Sequence, residues 1–256
     1  MDLSASASGS APSSLDESGV RRDGAPGTLL ELRRVSEDVR ILRVVRPAGF
    51  SFEPGQYVKL GVPGGGRNPY TITSAPGEPY LEFCVEQAPG GRVSPRLFAL
   101  RPGDQVDLDA KAKGSFTLVA SARIHLMVAT VTGIAPFRSM LRHAERRDAW
   151  PGKLIVLHGA SFADELAYRA ELETLAERSA GRVRYLPSVS RPADPRNRSF
   201  VGDTGRVTEL VMNAVGELGR TPAGLQVYAC GNPDMVAAVR GQMESLGVPV
   251  ATEAFA

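Results

Sequence analysis

Short apolar runs separated by proline and glycine dominate the first half of the chain. They lie at residues 40–45, 57–62, 80–86 and 105–108. Runs of this length between turn residues are typical of antiparallel strands. One helix is predicted over residues 94–99, where Ser94 can cap the helix and Pro95 suits its first turn. The pattern predicts an antiparallel β-barrel over residues 28–120.

The pattern changes at about residue 120, where strand-like and helix-like segments begin to alternate. Predicted strands at residues 125–129, 154–158, 183–189 and 226–230 precede predicted helices at 136–147, 164–178, 207–218 and 233–246. This alternation predicts a parallel sheet covered by helices on both faces, over residues 121–256. Residues 1–27 are rich in Ser, Ala and Gly, which favours a disordered tail; a docking arm for a partner is the alternative.

Composition narrows the range of functions. The chain has 30 Lys and Arg residues and 28 Asp and Glu residues, which gives a formal net charge of +2. A net charge this small produces no overall electrostatic field that would favour binding to nucleic acid or to an anionic membrane. Cys84 and Cys230, the only cysteines, are too few for an iron–sulfur cluster or a cysteine-rich zinc site. With no long apolar run and no signal-peptide pattern, we expect a cytoplasmic protein that does not enter a membrane.

Two loops at predicted strand ends carry the small residues that a ligand requires. The first contains Thr132, Gly133 and Pro136, and the second contains Gly231 and Pro233 directly after Cys230. Ligands of open parallel sheets bind beyond the carboxyl ends of the strands, where such loops lie. Ordinary strand-to-helix turns are the alternative, and Cys230 alone is more typical of a small buried residue.

A predicted barrel strand combines an aromatic ring, hydroxyls and a guanidinium. It begins at Arg67 and continues through Tyr70, Thr71 and Thr73 to Ser74. These side chains suit a flat ring and its phosphates. A strand of β-branched and aromatic residues is equally what barrel packing requires, so packing alone is the alternative.

Taken in order along the chain, these segments resemble the ferredoxin–NADP reductase superfamily, above all its bacterial ferredoxin (flavodoxin)–NADP reductases. The resemblance covers about residues 29–256 and includes the stretch 55–61 ahead of the barrel motif. It implies a six-stranded antiparallel Greek-key barrel for FAD over residues 28–120 and a parallel α/β domain for NADP over residues 121–256. It also implies electron transfer from NADPH through FAD to a separate ferredoxin or flavodoxin, and we expect a monomer.

The resemblance assigns roles to individual residues. FAD would be bound by Arg67, Asn68, Tyr70, Thr71, Thr73, Ser74, Val85, Arg92, Val93 and Ser94. The nicotinamide would lie between Thr132, Gly133 and Pro136 on one side and Gly231 and Pro233 on the other, with Cys230, Glu253 and Phe255 as catalytic residues. For Glu253 and Phe255, which lie at the end of the chain, a frayed terminus without a function is the alternative. Ser190, Arg191 and Arg206 would hold the 2′-phosphate, which favours NADPH over NADH.

The chain departs from the family pattern at three positions. Asn68 stands where the family has Arg, and Arg67 is one residue early, which turns its side chain to the opposite face of a strand. Val131 replaces the first Gly of the nicotinamide-side loop, and a β-branched residue resists a positive φ. Ser161 replaces a further Arg of the adenosine site.

These departures leave rival functions open. Within the same enzyme class, the reductase component of an oxygenase, or a flavin or ferric reductase, would use the same scaffold. A flavin-binding regulatory subunit without catalysis is the alternative from another class. A basic rim could dock an acidic carrier or form a solvated edge; it comprises Lys59, Arg67, Arg92, Arg96 and Lys113.

Overall fold

The computed structural model describes residues 24–88, 90–219 and 223–255. Two six-stranded sheets account for its architecture. The first is antiparallel and occupies the first half of the chain, and the second is parallel and carries helices on both faces. The predicted fold class is therefore confirmed.

The antiparallel sheet closes into a barrel. Its elements are β1 (Gly24–Arg34), β2 (Val39–Val45), β3 (Tyr57–Gly61), β4 (Arg67–Thr71), β5 (Tyr80–Glu86), α1 (Ser94–Phe98) and β6 (Gln105–Asp109). The strand order is β4-β3-β6-β1-β2-β5, and an antiparallel bridge between Ile72 and Phe83 joins the two edges. Alternate side chains point inward, so Leu42, Val58 and Phe83 are fully buried in one apolar core.

The parallel sheet has the order β10-β9-β8-β7-β11-β12. Its elements are β7 (Ile124–Thr130), α2 (Ala135–Arg147), β8 (Lys153–Ala160), α3 (Arg169–Arg178), β9 (Val183–Val189), β10 (Asp203–Thr204), α4 (Val207–Glu217), β11 (Leu225–Gly231), α5 (Pro233–Glu244) and β12 (Val250–Ala254). Successive strand residues face opposite sides: Met127 packs with α2 and α3, whereas Val128 packs with α4 and α5. Burial on both faces explains why these strands are apolar throughout.

The two halves share a hydrophobic core. The cluster under α2 and α3 extends into the barrel and includes Ile41, Cys84 and Phe116. The rings of Phe116 and Phe137 lie with their centroids 5.8 Å apart, one at the end of the barrel segment and one on α2. This packing fixes α2 against the barrel.

Four features differ from the sequence-based expectation. Strand β1 begins at Gly24, ahead of the predicted tail boundary, because residues 24–28 pair with β6; the tail prediction for residues 1–23 lies outside the described residues. Ser94 does not cap α1, since the cap position is Val93, without a side-chain hydrogen bond. The predicted helix 164–178 is broken, with Tyr168 at a φ of 63° before α3 begins. The C-terminal residues form β12, a strand that was not predicted, and this pairing disfavours the frayed end that was the alternative.

No helix in the described part of the chain is both long enough and apolar enough to span a bilayer.

Candidate functional site

The carboxyl ends of β7, β11 and β12 meet at Cys230. Cys230 lies opposite Ala129 on one side and Glu253 on the other. The backbone of Gly133 approaches so closely that a Cβ there would lie 2.1 Å from the Cys230 carbonyl oxygen. Gly231 has a φ of 128°, which side chains rarely tolerate. The two predicted loops are thus in contact at two positions, 133 and 231, that only glycine can occupy without a clash or backbone strain.

Glu253 is a titratable group inside this junction. Burial raises its pKa to about 7, and its Oε2 atom has no hydrogen-bond partner among the described residues. Burial also raises the pKa of the fully buried Cys230 thiol, and the Glu253 charge adds to the effect, so the thiol stays protonated. The backbone N–H of Phe255 donates to the carbonyl oxygen of Gly231 at 3.0 Å. The three residues predicted as catalytic therefore lie together, with Cys230 packed and not exposed.

Val131 adopts the strained backbone that its sequence position suggested. Its φ is 45°, in the left-handed region that β-branched residues avoid. Its carbonyl oxygen accepts a hydrogen bond from Nε2 of the buried His158 at 2.9 Å. Tyr185 in turn hydrogen-bonds Nδ1 of that ring at 3.0 Å. Sequence reasoning missed His158, whose apolar neighbours in β8 indicate only a buried strand.

A cleft of about 440 Å³ lies at the same edge of the parallel sheet. The three residues predicted for a 2′-phosphate, Ser190, Arg191 and Arg206, all line it and are all exposed. Val131 and Ser161, the two departures from the family pattern on this side, also line the cleft. Further lining residues to which the sequence analysis gave no role are Thr130, Thr208, Asn232 and Asp234. The sequence signal for Asn232 is its place before Pro233: its side chain caps α5 by accepting from the N–H of Asp234 at 2.9 Å.

Two arginine side chains lie close to Ser161, the residue that replaces the family's Arg. Both Arg191 and Arg196 lie over the ring of Phe162, at 5.1 Å and 3.6 Å from its centroid. Arg196 is committed to Asp164 by two hydrogen bonds of 2.7 and 2.9 Å. Arg191 is therefore the guanidinium of this pair that remains available to an anion in the cleft.

On the barrel side, one face of β4 is suited to a planar ligand. Asn68 and Tyr70 share this face, with a side-chain hydrogen bond between them, and burial raises the pKa of Tyr70 to about 12. Asn68 is exposed and Tyr70 is half-buried. The hydroxyl of Thr71 is buried without a partner among the described residues. Asn68 thus occupies the position from which the family's Arg would act.

Arg67 lies on the other face of β4. Its Nη1 atom is 3.0 Å from Oδ1 of Asp109, whose Oδ2 also pairs with Lys113 at 3.3 Å. Strand alternation, anticipated from the one-residue shift, accounts for this arrangement. The Arg67 charge is paired with a barrel carboxylate in this arrangement, and its assignment to the cofactor stays a prediction.

Several other residues predicted to contact FAD are buried. Thr73 and Ser74 have no exposed surface, and their hydroxyls hydrogen-bond Tyr168 and the N–H of Glu82. Val85 and Val93 belong to the barrel core. These four side chains pack behind the face of Asn68 and Tyr70, and their assignment to FAD stays a prediction.

The segment ahead of α1 divides between interior and surface. The hydroxyl of Ser94 accepts from the N–H of Ala88 at 3.1 Å, which orders the turn before the helix. Arg92 is exposed beside it. Arg92 is therefore able to contact a bound ligand with its charge, whereas Ser94 is turned to the interior.

A polar contact joins the nicotinamide-side loop to the end of a barrel strand. The hydroxyl of Thr132, in the nicotinamide-side loop, donates to Glu86 at the end of β5 at 3.4 Å. Burial raises the pKa of Glu86, and this hydrogen bond opposes the shift. Pro136 is buried in the first turn of α2, and Pro233 opens α5. The loop from the parallel sheet therefore faces the barrel.

The residues present fit a flavin and a pyridine nucleotide. Buried polar atoms on Thr71 and Glu253 have no hydrogen-bond partner within residues 24–88, 90–219 and 223–255, and a bound ligand would supply one. The exposed face of Asn68 and Tyr70 suits a ring system, and the cleft with Arg191 and Arg206 suits a phosphorylated adenosine.

Comparison with known proteins agrees with this geometry. Residues 26–117 match the family described as oxidoreductase FAD-binding domain, and residues 127–241 match the oxidoreductase NAD-binding domain. Ferredoxin–NADP reductase B of Sorangium cellulosum is 38% identical over 231 residues, 86% of this chain and 92% of that protein. Flavodoxin/ferredoxin–NADP reductase of Escherichia coli is 33% identical over 226 residues, 84% and 87% of the two chains.

A solved structure has the same architecture. The ferredoxin NADP+ reductase of Neisseria gonorrhoeae, with bound FAD and NADP, superposes with a TM-score of 0.78 at 26% identity, covering 91% of this chain and 98% of that one. With an FAD-binding domain and an NAD-binding domain in this order, the chain is a flavoprotein oxidoreductase that belongs to the ferredoxin–NADP reductase family.

Proposed function

We propose that this protein takes electrons from NADPH through FAD and passes them singly to a ferredoxin or flavodoxin. The observation that carries the proposal is the convergence at Cys230. The strand ends that present Glu253 and the loop that contains Gly133 meet there, and the adjoining Thr132 reaches the barrel at Glu86. A donor in the cleft and an acceptor on the barrel would face each other at this junction.

FAD would lie on the exposed face of β4. Asn68 and Tyr70 would contact its ring system, and Arg92 would approach the phosphates. The Thr71 hydroxyl, on the other face at the carboxyl end of β4, would complete a hydrogen bond at the edge of the ring. When bound, FAD supplies the ring that accepts a hydride from the nicotinamide and releases electrons one at a time. The chain's own contribution is to bind, orient and exclude water.

NADPH would occupy the cleft at the carboxyl edge of the parallel sheet. Arg191 and Arg206 would hold the 2′-phosphate with Ser190, since guanidinium forks suit a phosphate dianion. The close backbone approach of Gly133 and Gly231 leaves room for the nicotinamide beside Cys230. NADH lacks the phosphate that the two guanidinium groups would bind, so we expect it to be the weaker substrate.

Glu253 and Phe255 would act at the meeting of the two ligands. The carboxyl of Glu253, with a pKa of about 7, holds a proton at Oε2 in roughly half of the molecules at neutral pH. Phe255, half-buried against the core, would cover the flavin until the nicotinamide displaces it. Cys230, protonated and packed, would serve by shape and not as a nucleophile.

The carrier would be a separate, acidic protein. Lys59, Arg92 and Arg96 are exposed on the barrel and would complement such a surface. The other two members of the predicted basic rim, Arg67 and Lys113, are paired with Asp109 and contribute less charge. A cytoplasmic monomer remains our expectation from the sequence.

The test of the acceptor is a turnover comparison. Purified protein loaded with FAD and supplied with NADPH is offered a bacterial ferredoxin, a flavodoxin, free flavin and ferric citrate in parallel. We expect turnover with the protein carriers to be at least about tenfold faster, and to fall with rising salt. Equal or faster turnover with free flavin or ferric citrate would identify a flavin or ferric reductase and overturn the proposed partner.

A further inference from the structure

Helix α2 connects the nicotinamide-side loop to the flavin-side strand. It begins directly after Gly133, and two of its side chains reach back to the barrel. Nη1 of Arg138 donates to the carbonyl oxygen of Thr73 at 2.9 Å, and the hydroxyl of Ser139 donates to the carbonyl oxygen of Ser74 at 2.6 Å. Arg138 and Ser139 are 1% and 0% exposed. One rigid element therefore contacts both halves of the proposed reaction site.

The guanidinium of Arg138 is held from every side. Its Nη1 atom lies 2.7 Å from Oε1 of Glu82 on β5, and its Nε and Nη2 atoms donate to Glu171 on α3 at 3.1 and 2.9 Å. The ring of Tyr168 lies beneath it at 4.1 Å. A planar fork with this many partners has one orientation, so its bond to the Thr73 carbonyl is geometrically fixed.

The segment that these side chains contact is held equally firmly on its barrel side. The N–H of Thr73 donates to the carbonyl oxygen of Glu82 at 2.8 Å, and the N–H of Glu82 donates to the hydroxyl of Ser74 at 3.1 Å. Thr73 and Ser74 follow Thr71 in the chain, and Thr71 carries the unpartnered hydroxyl assigned to FAD. A shift of α2 would thus move the flavin-contacting strand directly.

We propose that Arg138 and Ser139 are positioning residues that set the distance between the flavin-side strand and the nicotinamide-side loop. The inference rests on the proposed function, because that distance matters only if a hydride crosses it. Displacements well below the size of an atom change the rate of such a transfer strongly. The two bonds link α2 to the carbonyl oxygens of the segment beyond Thr71, so their loss frees that segment without emptying the nucleotide cleft.

The experiment compares S139A with R142M. Ser139→Ala removes one of the two bonds and little volume, so the chain is expected to fold. Arg142, one turn further along α2, pairs with Glu78 and Glu171 but contacts neither carbonyl. The control therefore loses ion pairs between the same two halves and leaves the bonds to Thr73 and Ser74 in place. R138K serves as a second variant, since Lys keeps the charge but cannot form the fork.

The first readout is amide hydrogen exchange of residues 71–74 in the FAD-loaded protein, which needs no turnover; Ala75 is left out because its N–H donates to Glu78, the ion-pair partner of Arg142. We expect protection there to fall about tenfold or more in S139A and further in R138K, and to stay at the wild-type level in R142M. Unchanged protection in S139A, or an equal loss in R142M, would overturn the proposal.

The second readout is the rate of flavin reduction by NADPH in stopped flow, with the affinity for NADP+ measured separately. We expect S139A to slow reduction about tenfold while NADP+ affinity stays within about twofold, and R142M to leave both unchanged. A slowed R142M, or an unaffected S139A, would contradict positioning. Failure of wild-type protein to be reduced by NADPH would refute the proposed function instead, and the exchange result would still stand.

Discussion

Nε2 of His158 lies 2.9 Å from the carbonyl oxygen of Val131 and supports the turn that begins the nicotinamide-side loop. A carbonyl oxygen only accepts, so Nε2 carries the proton, and Nδ1 accepts from the Tyr185 hydroxyl at 3.0 Å. Burial lowers the pKa of His158 to about 4. The ring is therefore neutral at physiological pH, and its protonation would require the Tyr185 hydroxyl to turn from donor to acceptor.

The first prediction concerns acid stability. The folded-state pKa of about 4 lies below the ordinary histidine value of 6.5, so acidification protonates the unfolded chain first and lowers stability as pH falls from 6.5 toward 4. His158→Gln keeps an N–H donor but does not titrate. Between about pH 7.5 and pH 5 we expect the wild type to lose about 2 kcal/mol more than H158Q, measured by urea unfolding. Parallel losses in the two proteins would contradict this account.

The second prediction concerns the strained residue itself. Glycine takes the φ of 45° at Val131 without the cost of about 1–2 kcal/mol that a side chain incurs there. Val131 also lines the nucleotide cleft. We expect V131G to bind NADP+ at least about threefold more tightly, measured by titration of the flavin absorbance. The control is V201G, at an exposed residue outside the cleft; weaker binding by V131G would refute the role of Val131.

The sequence predicted most of the fold because local pattern determines most of it. Strand β9, for example, has the predicted bounds Val183–Val189, since its apolar run ends in turn residues on both sides. The start of β1 was missed because Gly24–Gly27 lack an apolar alternation. Those residues are extended because they pair with β6, some eighty residues away in sequence. Such a tertiary cause leaves no local signal.

The third prediction concerns the choice of nucleotide. Arg191→Ala and Arg206→Ala each remove a charge-assisted bond to the 2′-phosphate, worth about 1.5–3 kcal/mol. We expect each variant to bind NADP+ about tenfold to a hundredfold more weakly and NAD+ within about twofold of the wild type. Arg178→Ala is the control, because Arg178 lies in the last turn of α3, at the opposite edge of the sheet. If the affinities for NADP+ and NAD+ fell equally, the two guanidinium groups would contact a part of the ligand that both nucleotides share, and not the 2′-phosphate.

The fourth prediction concerns pH and Glu253. Burial raises its pKa to about 7, so the carboxyl changes from mostly neutral to mostly anionic as pH rises through that region. An anion disfavours the arrival of an electron pair nearby, so the rate of flavin reduction by NADPH should fall several-fold as pH rises through 7. Glu253→Gln stays neutral, and its rate should remain flat over the same range. A decline of equal size in E253Q would assign the titration to another group.

The site could be predicted in part, and the physical reason differs between residues. Gly133 and Gly231 carry a backbone requirement that shows in the sequence, so the junction at Cys230 was anticipated. Arg138 was not, because a charged residue in a helix ordinarily faces water. Glu82 of the barrel, brought opposite α2 by the packing of the two halves, and Glu171 on α3 together make a buried position possible for it.

Thr73 and Ser74 illustrate the opposite error. Their hydroxyls, in a strand next to Tyr70 and Thr71, suggested a continuous surface for the flavin. Hydrogen-bonding side chains do not indicate in sequence which partner they satisfy, and here the partners are Tyr168 and the backbone of Glu82. The ligand-facing surface is therefore shorter than the motif.

The most direct measurement is an anaerobic titration of the FAD-loaded protein with NADPH and, separately, with NADH. The account predicts that NADPH bleaches the flavin absorbance to completion, at concentrations at least about tenfold lower than NADH requires. Flavin that stays oxidised under excess of both nucleotides would contradict the account and favour a flavin-binding subunit without reductase activity.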